Sequence, residues 1–224
     1  MLPTDRKIEI DVVGAGGTGS QVLTGLARIN NAIKSCGHEH GLFVRAYDPE
    51  RVGTFNVGRQ LFHVNDVGQH KSEVLIRRLN LFYGLHWNWS TSKWHGNVHA
   101  HLVIVCIDTG KDREKMQSYC DPKRQFIMDC GNEQNFGQVI LGGKDWPCPY
   151  EEHPALKTSI DDAGPSCSLA ESLNRQDLFV NQAIATWALH IVWQMMRYGS
   201  LDYRGVFINL KSGITNPITT KNGS

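Results

Sequence analysis

The stretch "VVGAGGTGSQVLTGLAR", Val12 to Arg28, decides the fold. It is a glycine-rich turn between an apolar strand, Ile8 to Val13, and a helix pattern read from Ser20 to Ile33, whose apolar positions Val22, Leu23, Leu26, Ala27, Ile29 and Ile33 fall near helical spacing. Glycines at Gly14, Gly16, Gly17 and Gly19 allow a tight turn and let backbone approach a phosphate. The helix that follows adds unpaired amides and a positive dipole end at the same point. This strand–glycine–helix order is the context a nucleotide loop requires. It leaves open whether the ligand is a dinucleotide for redox chemistry or ATP.

Working outward, strand and helix patterns alternate. Leu42–Asp48 reads as a strand, Lys71–Gly84 as a helix, His86–Ser92 as a strand, and His101–Asp108 as a near-continuous apolar strand of the kind buried on both faces. A polar helix over "GKDREKMQSYC" and a strand over "QFIMDC" follow. This order predicts an α/β fold: a Rossmann-like parallel sheet with helices on both faces. Phe136–Gly143 follows the preceding strand so closely that antiparallel pairing is expected, so antiparallel strands extend the sheet. Residues 142–168 are rich in proline and glycine without a period, which reads as a functional loop or a disordered one. A long helix is read over Leu169–Tyr198, with Leu173, Val180, Ile184, Trp187, Ile191 and Met195 at helical steps, and a last strand over Tyr203–Leu210 before a frayed "TTKNGS" tail. The 224 residues suit one domain, 1–224.

Composition narrows the function classes. A formal charge of +1 and a pI near 7.7 argue against a polyelectrolyte partner, so no nucleic acid is expected. No stretch approaches the ~20 apolar residues of a bilayer span. The N-terminus lacks a signal-peptide pattern, and the 6 cysteines form no Cys-x-x-Cys pair, so a cytoplasmic protein with reduced thiols is expected.

Residues beyond the loop separate the nucleotide readings. Asp48, closing the second strand, is placed to accept from ribose hydroxyls in either case. Asn56, Arg59 and Gln60 follow it, and an arginine fork matches phosphate geometry. Lys71 opens a helix, where a lysine is commonly a plain surface charge, but its mild conflict with the dipole favours an anion nearby. Asp108 ends the buried strand, where open α/β sheets bind ligands; a magnesium-bound triphosphate uses such a carboxylate, and so does a helix cap.

In combination these residues resemble the ThiF/MoeB/E1 superfamily of ubiquitin-activating-type adenylating enzymes. "GAGGTG", "DPERV", "NVGRQ", "VGQHK" and "VCID" stand in family order from Ile8 to about Ile140, and "FGQV" is similar too. The later stretches "GPSCSLAESLNRQDLFVNQAIA" and "GVFINL" look most like the ThiF-type proteins of PRTRC cassettes. The resemblance implies backbone contacts to ATP phosphates at Gly14, Gly16, Gly17 and Gly19, and ribose binding at Asp48. It further implies phosphate binding at Arg59 and Lys71 with Asn56 and Gln60 nearby, and Mg2+ at Asp108. The reaction implied is adenylation of the C-terminal carboxylate of a small ubiquitin-like (β-grasp) or sulfur-carrier-like protein, with a homodimer as the working unit. Cys167, in "AGPSCSLAES", is a candidate acyl acceptor if a helix end lowers its pKa, or a packing residue; Cys148 is the weaker candidate because no helix end supports it. Departures are Glu50 in place of a second aspartate, only 7 residues before the first strand (Arg6 the sole arginine there), and no paired Cys-x-x-Cys zinc ligands. An NAD-dependent oxidoreductase and a nucleotide-binding scaffold without turnover are the competing readings.

Overall fold

The computed structural model describes residues 2–157 and 176–220. Along the chain lie β1 (Ile8–Val13), α1 (Gly17–Ser35), β2 (Leu42–Tyr47), α2 (Lys71–Tyr83), β3 (Asn88–Ser90), β4 (Leu102–Val105) and α3 (Gly110–Tyr119). They are followed by β5 (Phe126–Glu133), β6 (Phe136–Gly142), α4 (Pro149–Glu152), α5 (Val180–Tyr198), β7 (Tyr203–Asn209) and β8 (Ile214–Thr219). All eight strands join one sheet in the order β3-β2-β1-β4-β5-β6-β7-β8.

The sheet has two halves with different rules. From β3 to β5 the pairing is parallel, and its central strands β1, β4 and β5 are buried on both sides. Leu102 and Ile104 of β4 join the core under α1, α2 and α5, while Val103 and Val105 join a second core with Met116 of α3 and Tyr150 of α4. That two-sided burial is why β4 reads as an unbroken apolar run. From β5 onward the pairing is antiparallel, since the two residues between β5 and β6 cannot carry a crossover. The strand order reverses between β1 and β4, and the crevice at their carboxyl ends is where open α/β sheets place ligands.

Several boundaries differ from the sequence expectation. Helix α1 starts at Gly17, not Ser20, because a first helical turn needs no amide partners and tolerates glycine. The long helix starts at Val180, not Leu169: residues 176–179 are non-helical, and Asp177 turns the chain by accepting from the Phe179 amide at 2.9 Å. Leu173 lies outside the described residues. Its apolar breadth is satisfied inside the chain, since Val180, Ile184, Ala188, Ile191 and Val192 are buried, and a Cβ on Gly25 of α1 would fall 2.0 Å from Leu189. The third strand shortens to Asn88–Ser90, and the loop over 142–168 holds, in its described part, α4 and a 3-10 turn at Pro154–Lys157. Strand β8 was not expected at all; it is an exposed edge whose Pro217 is tolerated there. Among the described residues no helix is long and apolar enough to cross a membrane.

Candidate nucleotide-binding site

The glycine turn is shaped by close approaches. Gly14 holds φ +93°, and a Cβ there would sit 2.5 Å from the Cys106 carbonyl oxygen, so β1 can turn beside β4 only with glycine. A Cβ on Gly19 would fall 1.9 Å from the Gly14 carbonyl oxygen. Gly14, Gly16 and Gly17 line a cavity of about 330 Å³ at the crevice between β1 and β4. Gly19 is not among its lining residues; it packs against the Gly14 carbonyl in the first turn of α1.

Asp48 stands directly behind this loop. Its Oδ2 accepts from the Ala15 amide at 2.7 Å and its Oδ1 from the Glu50 amide at 2.8 Å. Burial raises its pKa, opposed by the positive charge of Lys71 and by these two amides. Each oxygen keeps a lone pair for a further donor.

The connection from β2 to α2 brings the other polar groups in. Asn56 is buried and accepts from the Gly53 amide at 2.8 Å. It stabilises the turn that presents Arg59 and Gln60 and is not among the residues lining the cavity. Arg59 donates from Nη1 to Gln176 Oε1 at 2.6 Å, while its buried Nε has no partner among the described residues. Burial lowers the Arg59 pKa, and the charge of Asp108 opposes that. Lys71 is almost wholly buried and pairs with Glu50 Oε2 at 2.5 Å. The anion its awkward helix-start position calls for is therefore supplied by this carboxylate.

Asp108 lies beyond the end of β4, exposed on the cavity wall. It does not cap α3. Thr109 does, accepting from the Asp112 amide at 3.4 Å. Among the described residues Asp108 makes no hydrogen bond, so a carboxylate with both oxygens unused faces the crevice. That fits a magnesium ion, which takes one or two carboxylates with phosphate oxygens and water. No group of three or more potential metal-binding side chains is gathered among the described residues, so Asp108 alone would carry it.

Sequence reading missed the second ring around the site. Arg113, buried, donates from Nη2 to the Ile107 carbonyl at 2.8 Å and from Nε to Asp129 Oδ1 at 3.1 Å. Asp129 also accepts from Tyr150 at 3.1 Å and from Gln138 at 3.2 Å, so the turn carrying Asp108 is anchored to β5, β6 and α4. A second chain of bonds runs from Thr18 to Asn181 at 2.9 Å and from Asn181 to Gln176 at 3.5 Å. These partners are up to 163 positions apart and follow no local pattern.

The cysteine candidates separate. Cys148 is the N-cap of α4, so a helix end does stand beside it, but it is buried. Burial raises its thiol pKa despite two backbone amides that lower it. It is not among the cavity residues, and it is a poor nucleophile. Cys167 lies outside the described residues, and the long helix whose end was to activate it begins only at Val180.

The described residues thus form a parallel crevice joined to an antiparallel wing in one eight-stranded sheet. No protein-family model matches the chain, and no curated protein does. Solved structures do. PaaA shares 13% identity at a TM-score of 0.69, covering 97% of this chain and 74% of that one. E. coli MccB shares 15% at 0.68, covering 98% and 64%. The microcin C7 biosynthetic enzyme MccB in complex with N-formylated MccA shares 16% at 0.64, covering 96% and 65%. The chain thus spans 64% of the length of E. coli MccB. At these identities the likeness is one of fold.

Proposed function

We propose that the cavity binds ATP with Mg2+ and that the protein adenylates the C-terminal carboxylate of a peptide or small protein. The observation that carries this is the convergence of Gly14, Gly16, Gly17, Asp48, Arg59, Lys71 and Asp108 on one cavity. A hydride-transfer site needs no such array of phosphate-directed cations. MccB has been crystallised with ATP, and with AMPCPP and MccA, which supports the same ligand classes here.

In this reading Asp48 accepts from the ribose and the amides opening α1 face the phosphates. The substrate carboxylate oxygen attacks the α-phosphorus. A P–O bond forms, the bond to the α,β-bridging oxygen breaks, and pyrophosphate leaves with the electron pair. Arg59 and Lys71 neutralise charge on the phosphate oxygens as it shifts toward the leaving group. Mg2+ held by Asp108 would supply Lewis-acid charge neutralisation of the polyphosphate.

The finer reading has a ubiquitin-like carrier protein as substrate, a single domain spanning 1–224, a homodimer and a PRTRC-type subfamily. It rests on the sequence resemblance, since α5 buries its own apolar stripe within the chain. Transfer onward to Cys167 belongs to it as well. ATP–pyrophosphate exchange, run with a small β-grasp carrier protein, tests the reaction. Exchange that needs both the carrier's C-terminal carboxylate and Mg2+ is expected. Binding of ATP without exchange would reduce the protein to a nucleotide-binding scaffold.

A further inference from the structure

Two thiols stand together at the carboxyl end of the sheet, and adenylation uses neither. Alternation along β4 and β5 sends Leu102, Ile104, Met128 and Cys130 to the core under α1 and α5, and Cys106 packs against that same core. The parallel register pairs Val105 with Asp129. One step further it sets Cys106 beside Cys130, on the same face of adjacent strands. Their contact is direct: a side-chain hydrogen bond with Cys106 is the first cause of the raised Cys130 pKa, ahead of burial. Cys130 is thus held as a protonated thiol against the Cys106 sulfur.

The pair opens on the crevice and is tied to the glycine turn. Both cysteines line the cavity, Cys106 half-buried and Cys130 only 2% exposed, so a small reagent in the crevice meets Cys106 first. Cys120 and Cys148 also share a core, but neither lines the cavity. The Cys106 amide donates to the Val13 carbonyl at 2.7 Å, and its carbonyl oxygen lies 2.5 Å from where a Cβ on Gly14 would be. Neighbouring strands run about 4.8 Å apart, within the roughly 4.4–6.8 Å that the Cα atoms of a disulfide span. The Cβ atoms of a disulfide stand closer, at about 3.5–4.5 Å. Closing the bridge therefore draws Cys106 toward β5 and away from β1, and the turn resting on it moves too.

We propose that Cys106 and Cys130 are a redox modification site: a peroxide converts the pair to a disulfide, and the disulfide lowers the affinity of the cavity for ATP. The Cys106 sulfur attacks the O–O bond of the peroxide and becomes a sulfenic acid, while the departing alkoxide takes the Cys106 thiol proton. The Cys130 sulfur then attacks the sulfenic sulfur. An S–S bond forms, the S–O bond breaks, and hydroxide leaves with the Cys130 proton as water. The pair gives up two electrons and two protons, and the peroxide is reduced to an alcohol and water. The effect on ATP rests on the nucleotide reading of the cavity, whereas the disulfide itself does not.

The test uses the full chain carrying Cys36→Ser, which removes the exposed thiol among the described residues. After hydrogen peroxide treatment and alkylation of the remaining thiols, peptide mass mapping should find Cys106 linked to Cys130 with the loss of two hydrogens. Saturating ATP should slow the linkage by covering Cys106. Calorimetry should show ATP binding at least about 10-fold weaker in the oxidised protein, within the usual range of coupling between two sites, and dithiothreitol should restore it. Cys106→Ala, whatever its starting affinity, should give the same ATP affinity before and after peroxide; Cys130→Ala replaces it should that variant fail to fold. Three results would overturn the proposal and leave adenylation intact: no linked peptide, a Cys120–Cys148 link in its place, or a linked protein that binds ATP as the reduced one does. Reduced protein that binds no ATP would remove the nucleotide reading and this switch with it.

Discussion

Lys71 and Arg59 reach the same cavity from one connection, yet the protein holds them differently. Lys71 is neutralised by Glu50, a carboxylate whose side chain is 69% exposed. Arg59 is held by a neutral amide, Gln176, and keeps a buried Nε that is unpaired among the described residues. A phosphate arriving at Lys71 must displace a competing carboxylate that water readily receives. A phosphate arriving at Arg59 meets a cation whose charge is not cancelled by its partner. The arginine is therefore the stronger pre-formed anion site, and the lysine is a cation kept folded by a removable counter-charge.

This difference can be broken by substitution. Arg59→Ala should weaken ATP binding about 100-fold, the scale of losing charge-assisted hydrogen bonds at a desolvated site, measured by calorimetry. Lys71→Met should cost about 10-fold, since Glu50 then faces the phosphates unopposed, with little change in thermal stability because methionine fills the same buried volume. A larger loss at Lys71 than at Arg59 would reverse the comparison. Asp108→Asn should erase the roughly 10-fold advantage of Mg–ATP over metal-free ATP and leave the thermal midpoint in place, because Thr109 caps α3. A drop of several degrees would return Asp108 to a structural role.

Asp48 gives a pH test. Its folded pKa lies above the unfolded 3.8, mainly through burial. The folded state therefore holds this proton more tightly, and the group's contribution to stability falls as pH rises through 3.8 toward the folded value. Relative to the parent, Asp48→Asn should gain stability between pH 4 and pH 7, followed by urea unfolding, while ATP affinity at pH 7 falls. A stability difference that does not move with pH would mean the carboxyl is not raised. The smallest effect is at Glu50: Glu50→Gln should tighten ATP binding about two- to fivefold at low salt, fading as screening grows.

How much of this was legible depends on how local the deciding contacts are. The glycine turn, Asp48 and the buried β4 run carry their meaning within a few residues, and the parallel half follows from them. Asp108 and Thr109 show the limit: both are good caps in adjacent positions, and only the helix start at Gly110 assigns the cap to threonine. The start of α5 was signalled by Asp177, overlooked because the apolar stripe continues upstream of it. Strand β8 has no alternating apolar face to read, since it lies exposed on the edge of the sheet. The Thr18–Asn181–Gln176 chain and the Arg113–Asp129 pair join distant segments, so the residues involved look unremarkable in sequence.

The central claim, that this cavity is built for a triphosphate and a carboxylate-bound metal, is tested most directly by titrating the protein with ATP plus MgCl2 and, separately, with NAD. One site for Mg–ATP is expected. At a hundredfold excess over Kd it should stabilise the fold by about 2.7 kcal/mol, with no response to NAD and with the Mg2+ dependence lost in Asp108→Asn. Stabilisation by NAD with none by Mg–ATP would contradict it.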